Sequence, residues 1–268
     1  MPITIGFHDV VEDLSQAQPI GTGFTTAYTL DRRHFRSCLD GIHSRLKSQS
    51  VRVVGDNFYA HESVLLTFDD GMESSLTIVA PELERFGWRG HFFITTDWIG
   101  RTGFLSGQQI LELLERGHIV GSHSSSHPHG MWKLSEELLL REWTESRKRL
   151  SELLGYEVTI ASVPGGYYTP RVAAVAAASG YRVLFTSEPT TKVSNVDGCR
   201  VFGRYTARRN TSASAVAAIA AGATWDRWRQ AGMWAATKAA KRVAGKWYLP
   251  LRNALLEFKP GKTSKAIS

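Results

Sequence analysis

The sequence predicts an α/β protein in which β/α units wrap a parallel sheet into a closed or nearly closed barrel, with helices appended at the C-terminus. Three observations carry this. Short apolar runs alternate with segments of helical periodicity from residue 3 to about residue 186. Residues suited to chemistry (His8, Asp69, Asp70, His123, Pro164, Ser187) follow closely behind separate apolar runs. After about residue 210 the composition turns alanine-rich, then basic and aromatic. Active sites of β/α barrels gather at the C-terminal ends of the strands. An open doubly wound sheet also binds ligands there, but contributions from so many strands favour a barrel.

Taken in order, Ile3 to Phe7 reads as a short strand opening onto His8-Asp9. Asp31 then caps a helix to Lys47, with Phe35, Leu39, Ile42 and Leu46 at helical spacing. Ser63 to Phe68 is a strand, and Leu76 to Phe86 a helix stopped by Gly87. His91 to Ile94 forms a buried strand, Ser106 caps a helix through Leu114, and Gly117 ends it. Ile119 to His123 is strand-like, Leu134 to Leu154 a long helix. Strand, helix and strand follow at Thr159 to Val163, Arg171 to Ser179 and Arg182 to Thr186. Residues 1–210 are therefore expected to form the barrel, 211–258 a helical extension and 259–268 a disordered tail.

With 268 residues, 43% hydrophobic and 21% charged, the composition is that of an ordinary globular protein. Cys38 and Cys199 are too few for a disulfide or thiolate framework. The first residues lack the basic-then-apolar pattern of a secretory leader. No run of roughly 18 apolar residues spans a bilayer, so a cytoplasmic protein is expected. The net charge of +7 is concentrated late, beginning with Arg200, Arg204, Arg208 and Arg209. Such a surface attracts anionic lipid, a phosphorylated substrate or nucleic acid. No nucleic-acid motif accompanies it, so no nucleic-acid partner is expected.

Thr67-Phe68-Asp69-Asp70-Gly71 places two carboxylates at a strand end, where charge is costly unless paired or coordinated. His123-Ser124-Ser125-Ser126-His127 offers two imidazoles four residues apart. With Asp70 they make a 2-His-1-carboxylate set. Zinc accepts it in hydrolytic sites, and non-haem iron oxygenases use the same set. Asp69 tips the choice toward hydrolysis, because a carboxylate beside the metal supplies a base for water. Taken alone, the histidine pair is commonly incidental and Asp-Asp-Gly commonly a turn. Their conjunction along a β/α chain carries the reading.

These residues resemble the polysaccharide deacetylase (NodB-homology) family, carbohydrate esterase family four. Residues 67–71 match its first motif and 123–127 its second, and Gly90 to Ile94 and Gly117 to Ser122 resemble its strand sequences. The resemblance covers roughly residues 1–205. It implies a distorted (β/α)7 barrel that hydrolyses N-acetyl groups of amino sugars with a divalent metal, usually Zn²⁺. By that match Asp70, His123 and His127 are metal ligands and Asp69 is the catalytic base.

Two family features are absent. The third motif, Arg-x-Pro-x-Gly, reads Ser162-Val163-Pro164-Gly165-Gly166 here. Ser162 can hydrogen-bond the base but brings no charge, and another cation such as Arg204 could approach instead. Gly165 is expected to offer its backbone N–H to the oxyanion. The histidine of the family's fifth motif has no counterpart between Cys199 and Arg209. His8, resembling the Tyr-His near the start of exopolysaccharide-type relatives, is the candidate acid.

In the tail, Trp225 and Trp228 share a helical face with Ala235, Ala239 and Val243, among Arg227, Arg229, Lys238, Lys241, Arg242 and Lys246. Two readings compete: peripheral contact with the inner, anionic face of a membrane, or a helix packing its tryptophans over the barrel. The main functional expectation is N-deacetylation of an amino sugar in a polysaccharide or glycolipid. Hydrolysis of another C–N bond such as a formamide, a non-catalytic carbohydrate-binding relative and an iron oxygenase are the alternatives. An intact Asp69 counts against the last two.

Overall fold

A computed structural model describes residues 1–17, 26–46, 50–54, 63–128, 130–166 and 168–244, the side chains of 237–244 excepted. The expected tail and Lys246 lie outside the described residues. In chain order the elements are β1 (Ile3–Phe7), β2 (Val10–Val11), β3 (Leu30–Asp31), α1 (Arg32–Arg45), β4 (Ser50–Arg52), β5 (Ser63–Phe68) and α2 (Ala80–Glu84). Next come β6 (His91–Ile94), α3 (Gly107–Glu115), β7 (Ile119–Ser122), α4 (Glu136–Leu154), β8 (Ile160–Ser162) and α5 (Pro170–Ala178). The last are β9 (Val183–Phe185), β10 (Ser194–Val196), β11 (Cys199–Phe202), β12 (Tyr205–Thr206), α6 (Ala213–Ala220) and α7 (Thr224–Ala244).

One sheet runs in the order β10-β11-β9-β8-β7-β6-β5-β1-β12, parallel except for the β10–β11 hairpin. It curls into a distorted barrel, as the sequence predicts, and is not closed by hydrogen bonds among the described residues. The chain bridges the gap, because only Gly203 and Arg204 separate β11 from β12. A Cβ on Gly203 would collide with the Glu188 carbonyl, so this crossing requires glycine.

Side-chain alternation sorts the barrel into two layers. Outward residues such as Val64, Leu66 and Phe68 of β5 meet the helices in the main core. Inward residues Leu65, Phe93, Val183, Phe185 and Phe202, with Val54, form a smaller apolar floor inside the barrel. At the C-terminal ends the same inward register places the polar residues.

The strand β5 shares one edge between two partners: β4 pairs with Ser63–Leu65, and β6 takes over from Thr67. His91 fills the junction. Its Nε2 accepts from the Val54 N–H at 2.9 Å and its Nδ1 lies 3.1 Å from the Leu66 carbonyl. That carbonyl can only accept, so Nδ1 carries the proton and the ring is neutral. Burial lowers the His91 pKa to about 4, in keeping with that structural role.

Helix caps follow the expected chemistry. Asp31 accepts from His34 N, Ser106 and Gln109 form a capping box, and Ser135 caps α4. The helix expected over residues 76–86 differs. After the Asp-Asp-Gly turn the chain passes through a π-turn at Ser75–Val79 before the short α2, whose Pro81 sits in the first turn. Hydrophobic spacing alone does not separate π from α winding over one turn.

Residues Met1–Ala231 form one compact unit, and a second begins at Gly232. The expected boundary at residue 210 thus falls inside the first unit, because α6 packs against α1 and β1. On α7, Trp225 and Trp228 are 74% and 73% exposed. Packing over the barrel therefore does not describe these two tryptophans. Among the described residues no helix is long and apolar enough to cross a membrane.

Candidate active site

The two carboxylates part company at the end of β5. Asp69 continues the inward register, with its N–H on the Phe7 carbonyl. Asp70 (φ 76°) and Gly71 (φ 81°) then take left-handed backbone, which turns the second carboxylate to one side. Ser124 (φ 64°) and His127 (φ 57°) adopt the same region. These three are non-glycine residues in a conformation that sterics disfavours, and all sit at the site. The surrounding structure holds them there. Thr95 N–H bonds to the Asp70 carbonyl, Thr96 N–H to Ser124 O, and His123 N–H to Ile94 O.

Asp70, His123 and His127 each point one ligand atom into a common space, with those atoms all within 4.8 Å of one another. Nε2 of His123 and Nε2 of His127 each lie 3.5 Å from Asp70 Oδ1. No hydrogen-bond donor among the described residues satisfies that buried oxygen. The His123 Nδ1 stands 3.0 Å from the Ser162 carbonyl, so it must carry the proton and Nε2 keeps its lone pair toward the space. Burial, then the neighbouring Asp69 and Asp9, pushes the Asp70 carboxyl well above its usual range. An unsatisfied carboxylate oxygen facing two imidazole nitrogens is a donor set fitted to a divalent cation.

The serines between the histidines are structural. Ser122 Oγ pairs with Ser146 Oγ at 2.7 Å and receives the Ser124 N–H. Ser124 Oγ accepts from His127 N–H. Glu142, on α4, accepts the N–H groups of Ser125 and Ser126 and the Ser126 hydroxyl. The Trp98 ring stacks on His127 with centroids 5.2 Å apart. Glu142 and Trp98 were not legible beforehand, because neither belongs to a recognisable spacing.

Asp69 is held by Arg204. The guanidinium donates from Nη1 to Oδ1 at 2.7 Å and from Nη2 to Oδ2 at 2.8 Å. Ser162 Oγ adds a third hydrogen bond to Oδ1 at 3.1 Å. Arg204 is only 2% exposed. Two further N–H groups donate to the Thr186 carbonyl and Thr67 Oγ1, and Phe93 lies beneath it. Burial would raise the Asp69 carboxyl. The charge of Arg204, with His123, the Arg204 hydrogen bonds and His8, overcomes this and holds it well below the usual carboxylate range. The missing arginine of Ser162-Val163-Pro164 is thus replaced from the other side of the barrel.

His8, from the end of β1, points Nε2 toward Asp69 Oδ2 at 3.9 Å and lies against the Tyr28 ring, tilted by 34°. Burial, opposed by Asp69 and reinforced by Arg204, His123 and Arg208, lowers its pKa to about 4. Gly165 (φ 63°) occupies an exposed turn between buried Pro164 and Gly166. Among the described residues no carbonyl accepts its N–H. The Glu188 carbonyl accepts the Arg204 N–H.

Residues 59–184 match the polysaccharide deacetylase family. The Bacillus subtilis protein YxkH is 27% identical over 143 residues, 53% of this chain and 51% of its own length. Peptidoglycan-N-acetylglucosamine deacetylase PgdA of Listeria monocytogenes is 32% identical over 114 residues, 42% of this chain and 23% of PgdA. The chain therefore spans about half the length of YxkH and under a quarter of PgdA. Among solved structures, IcaB from Ammonifex degensii shares the fold with a TM-score of 0.63 at 23% identity, covering 82% of this chain and 97% of IcaB. The Streptococcus pyogenes deacetylase PplD gives 0.63 at 18% identity, covering 79% and 94%. Residues 59–184, just under half of the chain, are thus similar to the polysaccharide deacetylase family, as the two motifs indicated.

Proposed function

We propose that this protein hydrolyses the N-acyl amide of an amino sugar in a polysaccharide or lipid-linked glycan, with a divalent metal, Zn²⁺, held by Asp70, His123 and His127. The observation that carries it is the separation of the two carboxylates: Asp70 turned into the histidine pair, Asp69 locked beside it by Arg204. A cation bound there supplies Lewis acidity toward the acyl carbonyl and the attacking water. Asp69, kept ionised by Arg204, accepts the water proton. The Gly165 N–H donates to the oxyanion as the carbonyl becomes tetrahedral. His8 is neutral at pH 7 and stands 3.9 Å from Asp69, so the proton it passes to the departing amine is the one Asp69 has just taken. The C–N bond breaks, leaving free amine and carboxylate.

Zinc content and acetate release, measured on N-acetylated oligosaccharides and lipid-linked sugars, test this. Asp69→Asn is expected to keep its metal and lose about 10²–10⁴-fold in turnover. Metal retained in both proteins with no turnover by wild type on any substrate would instead support a carbohydrate-binding relative. A formamido sugar in the same assay decides the acyl group.

Membrane association fits a lipid-linked substrate. The α7 helix exposes Trp225 and Trp228 and carries Arg227, Arg229, Lys238, Lys241 and Arg242 against the single acid Asp226. Tryptophan beside basic residues suits an anionic bilayer surface at the cytoplasmic face. The protein is expected to sediment with anionic liposomes at low salt and not with zwitterionic ones. Trp225→Ala/Trp228→Ala is expected to weaken binding about tenfold. Indifference of the wild type to anionic liposomes would end this part of the proposal.

A further inference from the structure

The pairing of β12 with β1 carries the chain back to the active-site end of the barrel, where the Ala207 N–H bonds to the Gly6 carbonyl. The next two residues are pinned at that rim. The Arg208 N–H is held by Thr211 Oγ1, and the Arg209 N–H by the Ala27 carbonyl. This brings the Arg208 guanidinium over the Tyr28 ring, 5.4 Å from its centroid. Tyr28 in turn lies against His8, with centroids 4.7 Å apart. Guanidinium, phenol and imidazole form one continuous row of contacts, whose inner member faces Asp69 and whose outer member is exposed.

Several arginines elsewhere in the molecule have carboxylate partners. Arg204 pairs with Asp69, Arg116 with Glu84, and Arg32, Arg36 and Arg85 with Glu82. Among the described residues, no carboxylate or carbonyl receives a hydrogen bond from the Arg208 side chain. Its contact with the Tyr28 ring braces the guanidinium without using its N–H groups in a hydrogen bond. Such a fork matches a phosphate or carboxylate in bidentate geometry. A second exposed arginine, Arg209, follows directly, and the two charges suit the roughly −1.5 to −2 of a phosphate ester better than a single carboxylate.

We propose that Arg208, braced on Tyr28, forms an anion subsite at the mouth of the active site that takes a phosphate group carried next to the acylated sugar. The subsite rests on the amide-hydrolase reading and narrows its substrate to a phosphorylated or diphosphate-linked amino sugar. Arg208 also contributes to keeping His8 uncharged, and a bound phosphate offsets that influence.

Two probes differing only in the anion test it: N-acetylchitotriose and its glycosyl 1-phosphate. Affinities are measured calorimetrically, and acetate release separately, for zinc-loaded wild type, Arg208→Gln and Arg208→Lys. The phosphorylated sugar is expected to bind wild type about tenfold tighter, with the preference shrinking as salt rises. Arg208→Gln is expected to bring the ratio of the two affinities to about one, and Arg208→Lys to retain part of it. Equal binding of both sugars by wild type overturns the subsite, as does a full preference surviving in Arg208→Gln. A phosphate preference without acetate release from either sugar would overturn the hydrolase reading and leave the subsite standing. Nucleotide-diphosphate and prenyl-diphosphate derivatives of the same sugar, run alongside, tell a soluble from a lipid-linked source by which one shows the Arg208-dependent gain.

Discussion

Arg204→Gln is expected to lower kcat/KM for amide hydrolysis by about 10²–10³-fold and to cost about 3–5 kcal/mol of stability. The stability loss follows from leaving the Asp69 carboxylate buried without its cation. The catalytic loss comes from the base. With Arg204 removed, desolvation acts on Asp69 unopposed, its carboxyl holds its proton to higher pH, and the acid limb of the pH–rate profile moves up. The linkage has a definite sign. A carboxyl whose folded pKa is depressed stabilises the protein above its unfolded value of about 3.9, and that stability is lost as pH falls. Arg204→Gln therefore gives the larger stability loss at pH 7 and the smaller one at pH 3. Moving the cation tests tuning separately from folding. Ser162→Arg combined with Arg204→Ser places an arginine beside the same Asp69 oxygen from the strand that now carries the serine, and is expected to recover part of the activity. Arg204→Gln with an unshifted acid limb, in a folded protein, would refute the tuning role.

Asp70→Asn is expected to lose metal affinity by at least about 10²-fold and to abolish hydrolysis, while chelating the wild type lowers its Tm. Saturating metal at about a thousand times Kd contributes about 4 kcal/mol to stability. In the metal-free protein Asp70 acts on stability in a direction opposite to that of Asp69. Without metal the folded Asp70 carboxyl keeps a proton that the unfolded chain has already released. The metal-free protein thus loses stability as pH rises above about 4, and metal restores it. Thermal melts with and without chelator at pH 5 and pH 8 measure this. The gap between the curves is expected to widen at pH 8 in wild type and to be absent in Asp70→Asn. An equal gap at both pH values would show that Asp70 is not the group the cation relieves.

The parts of this molecule legible in the sequence are those written in short spacings. Alternating apolar runs gave the β/α order, and the segments 67–71 and 123–127 gave a donor set that the fold brings together. What escaped is what depends on distance. Arg204 reaches Asp69 across 135 positions of sequence, and nothing periodic marks it, although Ser162 in place of an arginine pointed to a missing cation. Glu142 looks like any solvent-facing glutamate of a helix until the serine loop folds onto it. The π-turn at Ser75–Val79 was read as α-helix because five residues carry too little periodicity to distinguish the two. The exposed Trp225 and Trp228 show the converse limit. An aromatic stripe has the same spacing whether a core or a surface covers it.

The seam between β11 and β12 gives the barrel a fuse. Among the described residues no strand pairing joins the sheet's two edges there; a two-residue crossing and one side chain do, with Arg204 reaching from the Thr186 carbonyl to Asp69. Short terminal strands open locally at far less cost than the whole fold. If β12 detaches, Arg204 goes with it and the base loses its partner while the ligand trio of Asp70, His123 and His127 stays in place. The protein in that state is a folded metal binder without activity, so inactivation by heat or protease is expected to run ahead of both unfolding and metal release.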